Sequence, residues 1–204
     1  MSEGNWLVLS TANNFIDDVK ELCELRGWYY QYKGRNSIPL KLLLALTNWE
    51  QWRKGGLLGH LEIKNIYEYL GANVAKGFRT GKLFHSEEKY TLQDCQEKYG
   101  LLTDKVWYES FEGLDNLTEK YIRNMRANGE KINANPRIIM STIHGAKGGE
   151  ADKVLLLQDI TNAAMETFAH DPDELHRLFY TGATRAKKEL HIVDPKNFER
   201  AYLV

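Results

Sequence analysis

Hydrophobic positions along the chain change period several times, and each change predicts an element. Trp6-Leu7-Val8-Leu9 is a short apolar run after a polar start, as expected of a strand. Phe15, Ile16, Val19, Leu22 and Leu25 then recur at helical spacing over 13–26, and Gly27 closes the run. Trp28 to Tyr32 has the aromatic content of a second strand, before a polar turn at Gly34. Strand, helix and strand in this order predict a βαβ unit of a parallel sheet.

Beyond Pro39 the pattern becomes helical in short pieces over 40–52, 63–70, 91–99, 107–111 and 114–125, punctuated by glycines. Strand character returns at 137–142 and at Lys153 to Leu157, whose apolar run Val154–Leu157 suits the middle of a parallel sheet. A helix over 174–184, preceded by Asp171-Pro172-Asp173, and a strand over 189–193 complete the pattern. The predicted fold is therefore α/β, a three-layer parallel sheet built from 1–38 and 137–204, with a helical insertion over 39–136.

Composition changes this picture little. The 204 residues are 43% hydrophobic, enough to bury a core, and no apolar run approaches the roughly 20 residues that span a bilayer. Without a secretory signal the expected location is cytoplasmic, with no membrane partner. Cys23 and Cys95 are too few for a disulfide framework or a zinc site, and the six histidines bring no metal-ligand spacing, so no metal site is expected in this chain. The net charge of -1 gives no global pull on nucleic acid, so any such contact must be local. Basic residues do gather at Arg177, Arg185, Lys187 and Lys188, a cluster that also suits a solvated helix end.

Two segments carry candidate chemistry. Ser141 to Glu150, between two predicted strands, holds Gly145, Gly148 and Gly149, which let backbone approach a ligand closely. Thr142, His144 and Lys147 supply donors that phosphates attract, and the Glu150 carboxylate suits sugar hydroxyls. The same composition also suits a plain strand-to-strand connection. In the second segment, Arg177 to Ala186, Gly182 within a helix costs about 1 kcal/mol against alanine, which points to close packing or a ligand. Arg185 there offers a planar, permanently charged fork to a phosphate, or simply the basic end of a helix.

Taken together, Thr142-Ile143-His144-Gly145-Ala146-Lys147-Gly148 with Glu150 resembles motif V of the UvrD/Rep-type superfamily 1 DNA helicases. Tyr180-Thr181-Gly182-Ala183-Thr184-Arg185-Ala186 resembles their motif VI, in the right order and spacing. The opening unit is similar, in degenerate form, to the start of the family's second motor domain. Gly149 and Ala183 depart from the larger apolar residues usual there, and neither removes a functional group.

The resemblance implies a RecA-like (P-loop NTPase-like) second motor domain, called 2A, carrying a reduced 2B-like insertion. It implies an ATP- and Mg2+-dependent helicase or translocase moving 3′ to 5′, with Arg185 as the arginine finger. Glu150, Gly148, Lys147 and Gly182 would belong to the nucleotide site, and Thr142 and His144 would touch single-stranded DNA. Both sites are expected at the carboxyl ends of the sheet strands.

No Walker A or Walker B element is recognisable. Gly77 to Leu83 has its glycines one residue too close, and Asp159 reads as a strand-end residue. ATP and Mg2+ would then be held mainly by an N-terminal RecA-like motor domain, in cis or as a separate subunit, and the chain alone should not turn over ATP. The alternative is a non-catalytic DNA- or protein-binding module on a helicase-like scaffold. Trp49, Trp52, Tyr67, Tyr69, Phe78 and Phe84 read as core, or else as base-stacking residues.

Overall fold

The computed structural model describes residues 1, 3–75, 88–131, 135–146 and 148–203. The Gly77–Leu83 segment, Phe78, Phe84 and Lys147 lie outside the described residues. The first elements are β1 (Trp6–Ser10), α1 (Asp17–Arg26), β2 (Tyr30–Tyr32) and β3 (Arg35–Asn36). There follow α2 (Leu40–Arg53), β4 (Leu58–Gly59), α3 (His60–Tyr67), β5 (Lys89–Tyr90), α4 (Leu92–Lys98), α5 (Trp107–Ser110) and α6 (Asn116–Ala127). The last stretch holds β6 (Ile138–Thr142), β7 (Ala151–Leu157), α7 (Asn162–His170), α8 (Pro172–Ala183) and β8 (Ala186–Val193). The chain forms two compact units, residues 1–37 with 123–204 and residues 38–122.

The first unit is a six-stranded sheet in the order β3-β2-β6-β1-β7-β8, parallel throughout except for the β2–β3 hairpin. This is the mixed α/β, mostly parallel arrangement of a RecA-like fold. β1 lies between β6 and β7, and all five of its residues are buried. That two-sided burial is why its sequence runs apolar without alternating. On one face Leu7, Leu9, Val154 and Leu156 pack with Ile143 and with Leu175 and Phe179 of α8.

Helix α1 ends as its sequence demands, at Gly27 with φ 66° and ψ 41°. Its buried face differs from the apolar stripe: Ile16, just before the helix, and Cys23 are buried, while Leu25 is 64% exposed. Helix α7, for which the hydrophobic pattern predicts nothing, starts where Thr161 accepts a hydrogen bond from the Ala164 amide at 3.2 Å. It buries no residue fully, so it leaves only a faint apolar signal.

The second unit is helical with a short β4–β5 hairpin. Trp49 and Trp52 are fully buried and meet edge to face at 6.1 Å. Their indole N–H groups donate to the carbonyls of Lys105 and Tyr90, both at 3.0 Å. Tyr67 is buried and Tyr69 stacks on Phe111 at 5.8 Å, so these four aromatics serve the core. Among the described residues, no helix is long and apolar enough to cross a membrane.

Both cysteines are fully buried, Cys23 in the first unit and Cys95 in the second. Burial pushes each thiol up to about 12, because a thiolate there would lose its hydration. The folded state therefore keeps two protons that the unfolded chain releases near pH 9. Stability is unaffected below that pH and falls as pH rises from 9 towards 12. Urea midpoints at pH 7.5 and 10.5 should show this fall, and Cys23→Ser with Cys95→Ser should lessen it but leave the part due to Tyr29 and Tyr67, whose hydroxyls burial also pushes up.

Candidate functional site

Strand β6 ends at Thr142, level with Ser10 at the carboxyl end of β1. The Ile143 amide continues the ladder to the Ser10 carbonyl at 2.9 Å. The chain then turns back sharply. Ala146 N–H donates to the Thr142 carbonyl at 3.0 Å, and Gly145 N–H donates to Thr142 Oγ1 at 3.1 Å. A Cβ at Gly145 would stand 2.7 Å from Ser141 Oγ and 3.1 Å from Thr142 Oγ1, a crowding that rotation of the serine hydroxyl relieves. Ile143 and Ala146 are buried, while His144 points outward and is exposed. The Thr142 hydroxyl thus shapes the turn with its acceptor lone pair and keeps its own proton for another partner.

From this turn the loop crosses β1 and reaches the start of β7, passing through Gly148 at φ 80°. Gly149 N–H donates to the Ala146 carbonyl at 2.9 Å, and Glu150 stands exposed just before β7. Because β7 runs parallel to β1, with Trp6 paired to Lys153, Glu150 lies at the amino end of the sheet strands. Ala151 pairs with Ala186, and its amide donates to the Arg185 carbonyl at 3.1 Å. Glu150 and Arg185 are therefore neighbours at the amino ends of β7 and β8. Thr142 lies about 20 Å away along the strand direction, at the opposite end.

This overturns the expectation that both sites share the carboxyl ends of the strands. The loop is a crossover that has to carry the chain back to the sheet's other end before a parallel strand can start. Its two ends consequently lie at opposite ends of the sheet strands.

Gly182 is buried on α8, and a Cβ there would meet Leu156 Cδ1 at 3.1 Å and Ile143 Cδ1 at 3.5 Å. Of the two reasons that the sequence left open for this glycine, the structure shows close packing. The contact also ties α8 to the first residue of the loop. Helix α8 runs back along the sheet, so its last turn delivers Arg185 to the strand starts.

The basic cluster divides by charge pairing. Arg177 meets Asp171 at 3.8 Å, Lys187 meets Glu150 at 3.4 Å and Lys188 meets Asp152 at 3.2 Å. Arg185, half-buried beside them, makes no ion pair with any described residue. Lys187 is the residue that sequence reasoning missed as the partner of Glu150. Both side chains of that pair are more than half exposed, so solvent screens it and the carboxylate is released at little cost. An open cleft of about 800 Å³ follows β6 and the loop, lined by Leu7, Ile139, Thr142, Gly145, Gly149 and Glu150.

Asp159, which sits two residues past β7 and imitates a Walker B acid, is otherwise engaged. Its carboxylate accepts from the Lys196 amide at 2.9 Å and its carbonyl from the Thr11 hydroxyl at 2.8 Å. It fastens the C-terminal segment to the sheet.

A family model for the UvrD-like helicase C-terminal domain matches residues 62–197, about two thirds of the chain, including both loop ends and Arg185. The chain belongs to this family. It is a helicase motor domain, and the resemblance carried by Thr142–Glu150 and Tyr180–Ala186 falls inside the matched region. The match begins after β1–β3, whose sequence is the degenerate part. No curated protein matches the chain.

Proposed function

We propose that this UvrD-like domain supplies one half of an ATP site and part of a single-stranded DNA track, at opposite ends of one loop. The observation that carries this reading is the meeting of Glu150 and Arg185, which pairs with no described residue, at the amino ends of β7 and β8, with Thr142 and His144 at the far end. Bound ATP, with Mg2+, supplies the phosphoryl group and the free energy, and both are gripped mainly by an N-terminal motor domain in cis or as a separate subunit.

Glu150 exchanges its pair with Lys187 for the ribose hydroxyls, which donate to the carboxylate. Arg185 presents its guanidinium to the γ-phosphate, where charge develops as the phosphoryl group leaves. Gly148 lets the backbone bend beside the nucleotide, Lys147 adds a cation to the same loop, and Gly182 acts through packing that sets the height of Arg185. At the other end the Thr142 hydroxyl and His144 contact the DNA backbone. Packing of Gly182 against Ile143 gives a physical link between α8 and the DNA end of the loop. Movement on DNA is 3′ to 5′, and the chain alone turns over no ATP.

The test joins this chain to a motor domain that carries a Walker A loop and measures DNA-stimulated ATPase. Glu150→Ala should raise KM for ATP about tenfold while leaving DNA affinity within twofold, since one hydrogen bond to a charged group contributes about 1.5 kcal/mol. An unchanged KM would remove Glu150 from the nucleotide site and favour a scaffold without catalysis.

A further inference from the structure

We propose that the tip of the β2–β3 hairpin is a second contact for single-stranded DNA, with Tyr32 as a base-stacking surface and Lys33 and Arg35 as phosphate contacts. The proposal rests on the reading that the carboxyl end of the sheet carries the strand, and it extends that track beyond Thr142 and His144.

The hairpin turns through Lys33 at φ 50° and Gly34 at φ 73°. A two-residue turn with both central residues left-handed is the ordinary way to close a hairpin, and asparagine or glycine fills its first position at least cost. Lysine is strained there, and Lys33 is the only residue other than glycine with positive φ among the described residues. Strain of this kind persists where the side chain it places is used.

What it places is a cation beside an aromatic ring. Lys33 Nζ lies 5.2 Å from the centre of the Tyr32 ring, and Lys20 Nζ from α1 lies 4.9 Å from it. Lys20 is already paired with Asp17 at 3.1 Å. Lys33 and Arg35 are exposed, and neither has an acidic partner among the described residues. With Tyr32 and Ser37 they line an open cleft of about 480 Å³.

Tyr32 pairs with Met140, two residues before Thr142 on the adjacent strand. The hairpin tip therefore stands on the same carboxyl edge as Thr142, about 7 Å of strand rise away. An aromatic ring beside Lys33 and Arg35, cations with no acidic partner among the described residues, is what binds a single strand without regard to sequence: the ring stacks on a base and the cations meet successive phosphates. The two ends of this edge together offer a continuous path of a few nucleotides.

The experiment is a fluorescence-anisotropy titration of the full chain with a labelled oligothymidylate, across a range of salt. Tyr32→Ala should weaken binding about tenfold, Tyr32→Phe should restore it, and an oligonucleotide with abasic sites should erase the difference. Lys33→Gly, which relieves the strained turn, and Arg35→Gln should each flatten the dependence of log affinity on log salt by about 0.7. If Thr142→Ala with His144→Ala weakens binding while every hairpin variant behaves as wild type, the hairpin proposal is overturned and the track at Thr142 stands. Binding that none of these changes affects, or no binding at all, overturns the underlying reading as well.

Discussion

Arg185→Ala, in a protein that joins this chain to a motor domain with a Walker A loop, should lower DNA-stimulated ATP turnover about a thousandfold. The magnitude follows from where charge appears. Negative charge grows on the transferring phosphoryl group and its leaving oxygen, and a guanidinium fixed beforehand stabilises it without reorganising. Arg185 suits this role because its neighbours Arg177, Lys187 and Lys188 already face acids, whereas its own charge is left uncompensated by any described side chain. Ground-state binding of ATP should change less than tenfold, since the effect belongs to the transition state. Arg185→Lys should recover only a small part of the rate, because an ammonium cannot reproduce the planar fork. Turnover within tenfold of wild type for the alanine variant would mean that Arg185 is no finger.

The second large effect is on stability. Gly27→Ala should lower the unfolding free energy of the sheet unit by about 3 kcal/mol, read from urea denaturation. Two costs add. The left-handed backbone at φ 66° disfavours any Cβ by about 1–2 kcal/mol. The new Cβ would also stand 2.5 Å from Asn124 C and 2.6 Å from Met125 N, and helix backbone cannot swing aside as a side-chain tip can. The same helix caps α1: Asn124 Nδ2 donates to the Leu25 carbonyl at 3.2 Å, and Asn128 Nδ2 to the Arg26 carbonyl. Pushing α6 away therefore also strips partners from carbonyls that α1 leaves open. Gly34→Ala is the internal control, with φ 73° and nothing within 4 Å of the added carbon, and should cost only the backbone part. Equal losses for the two variants would show that the α1–α6 contact yields easily.

Much of the sheet could be read from the chain because β1 is buried on both faces and writes that burial as an unbroken apolar run, and Val154–Leu157 of β7 forms another. Helix α1 announced its ends more clearly than its inward face. Gly27 stops it unambiguously, but Leu22 and Leu25 extend the stripe past the residues that the fold buries. The start of β8 was hidden, because Lys187 and Lys188 read as a charged helix end while they belong to β8, at an irregularity in its pairing with β7. The candidate residues were legible as two motifs, yet their placement was not. Which end of the sheet Glu150 faces depends on β7 running parallel to β1, a register that no local pattern encodes. The Lys187–Glu150 pair likewise arises from a contact between strands.

Separation of the DNA track from the nucleotide site can be read from backbone amide shifts of the chain on titration with oligothymidylate, which map where the oligonucleotide touches it. The largest shifts should fall at Thr142, His144 and Gly145 and at the Tyr32–Arg35 hairpin, with Glu150–Ala151 and Arg185–Ala186 nearly still. Shifts concentrated at Glu150–Ala151 and Arg185–Ala186, with Thr142 and His144 unmoved, would contradict that separation.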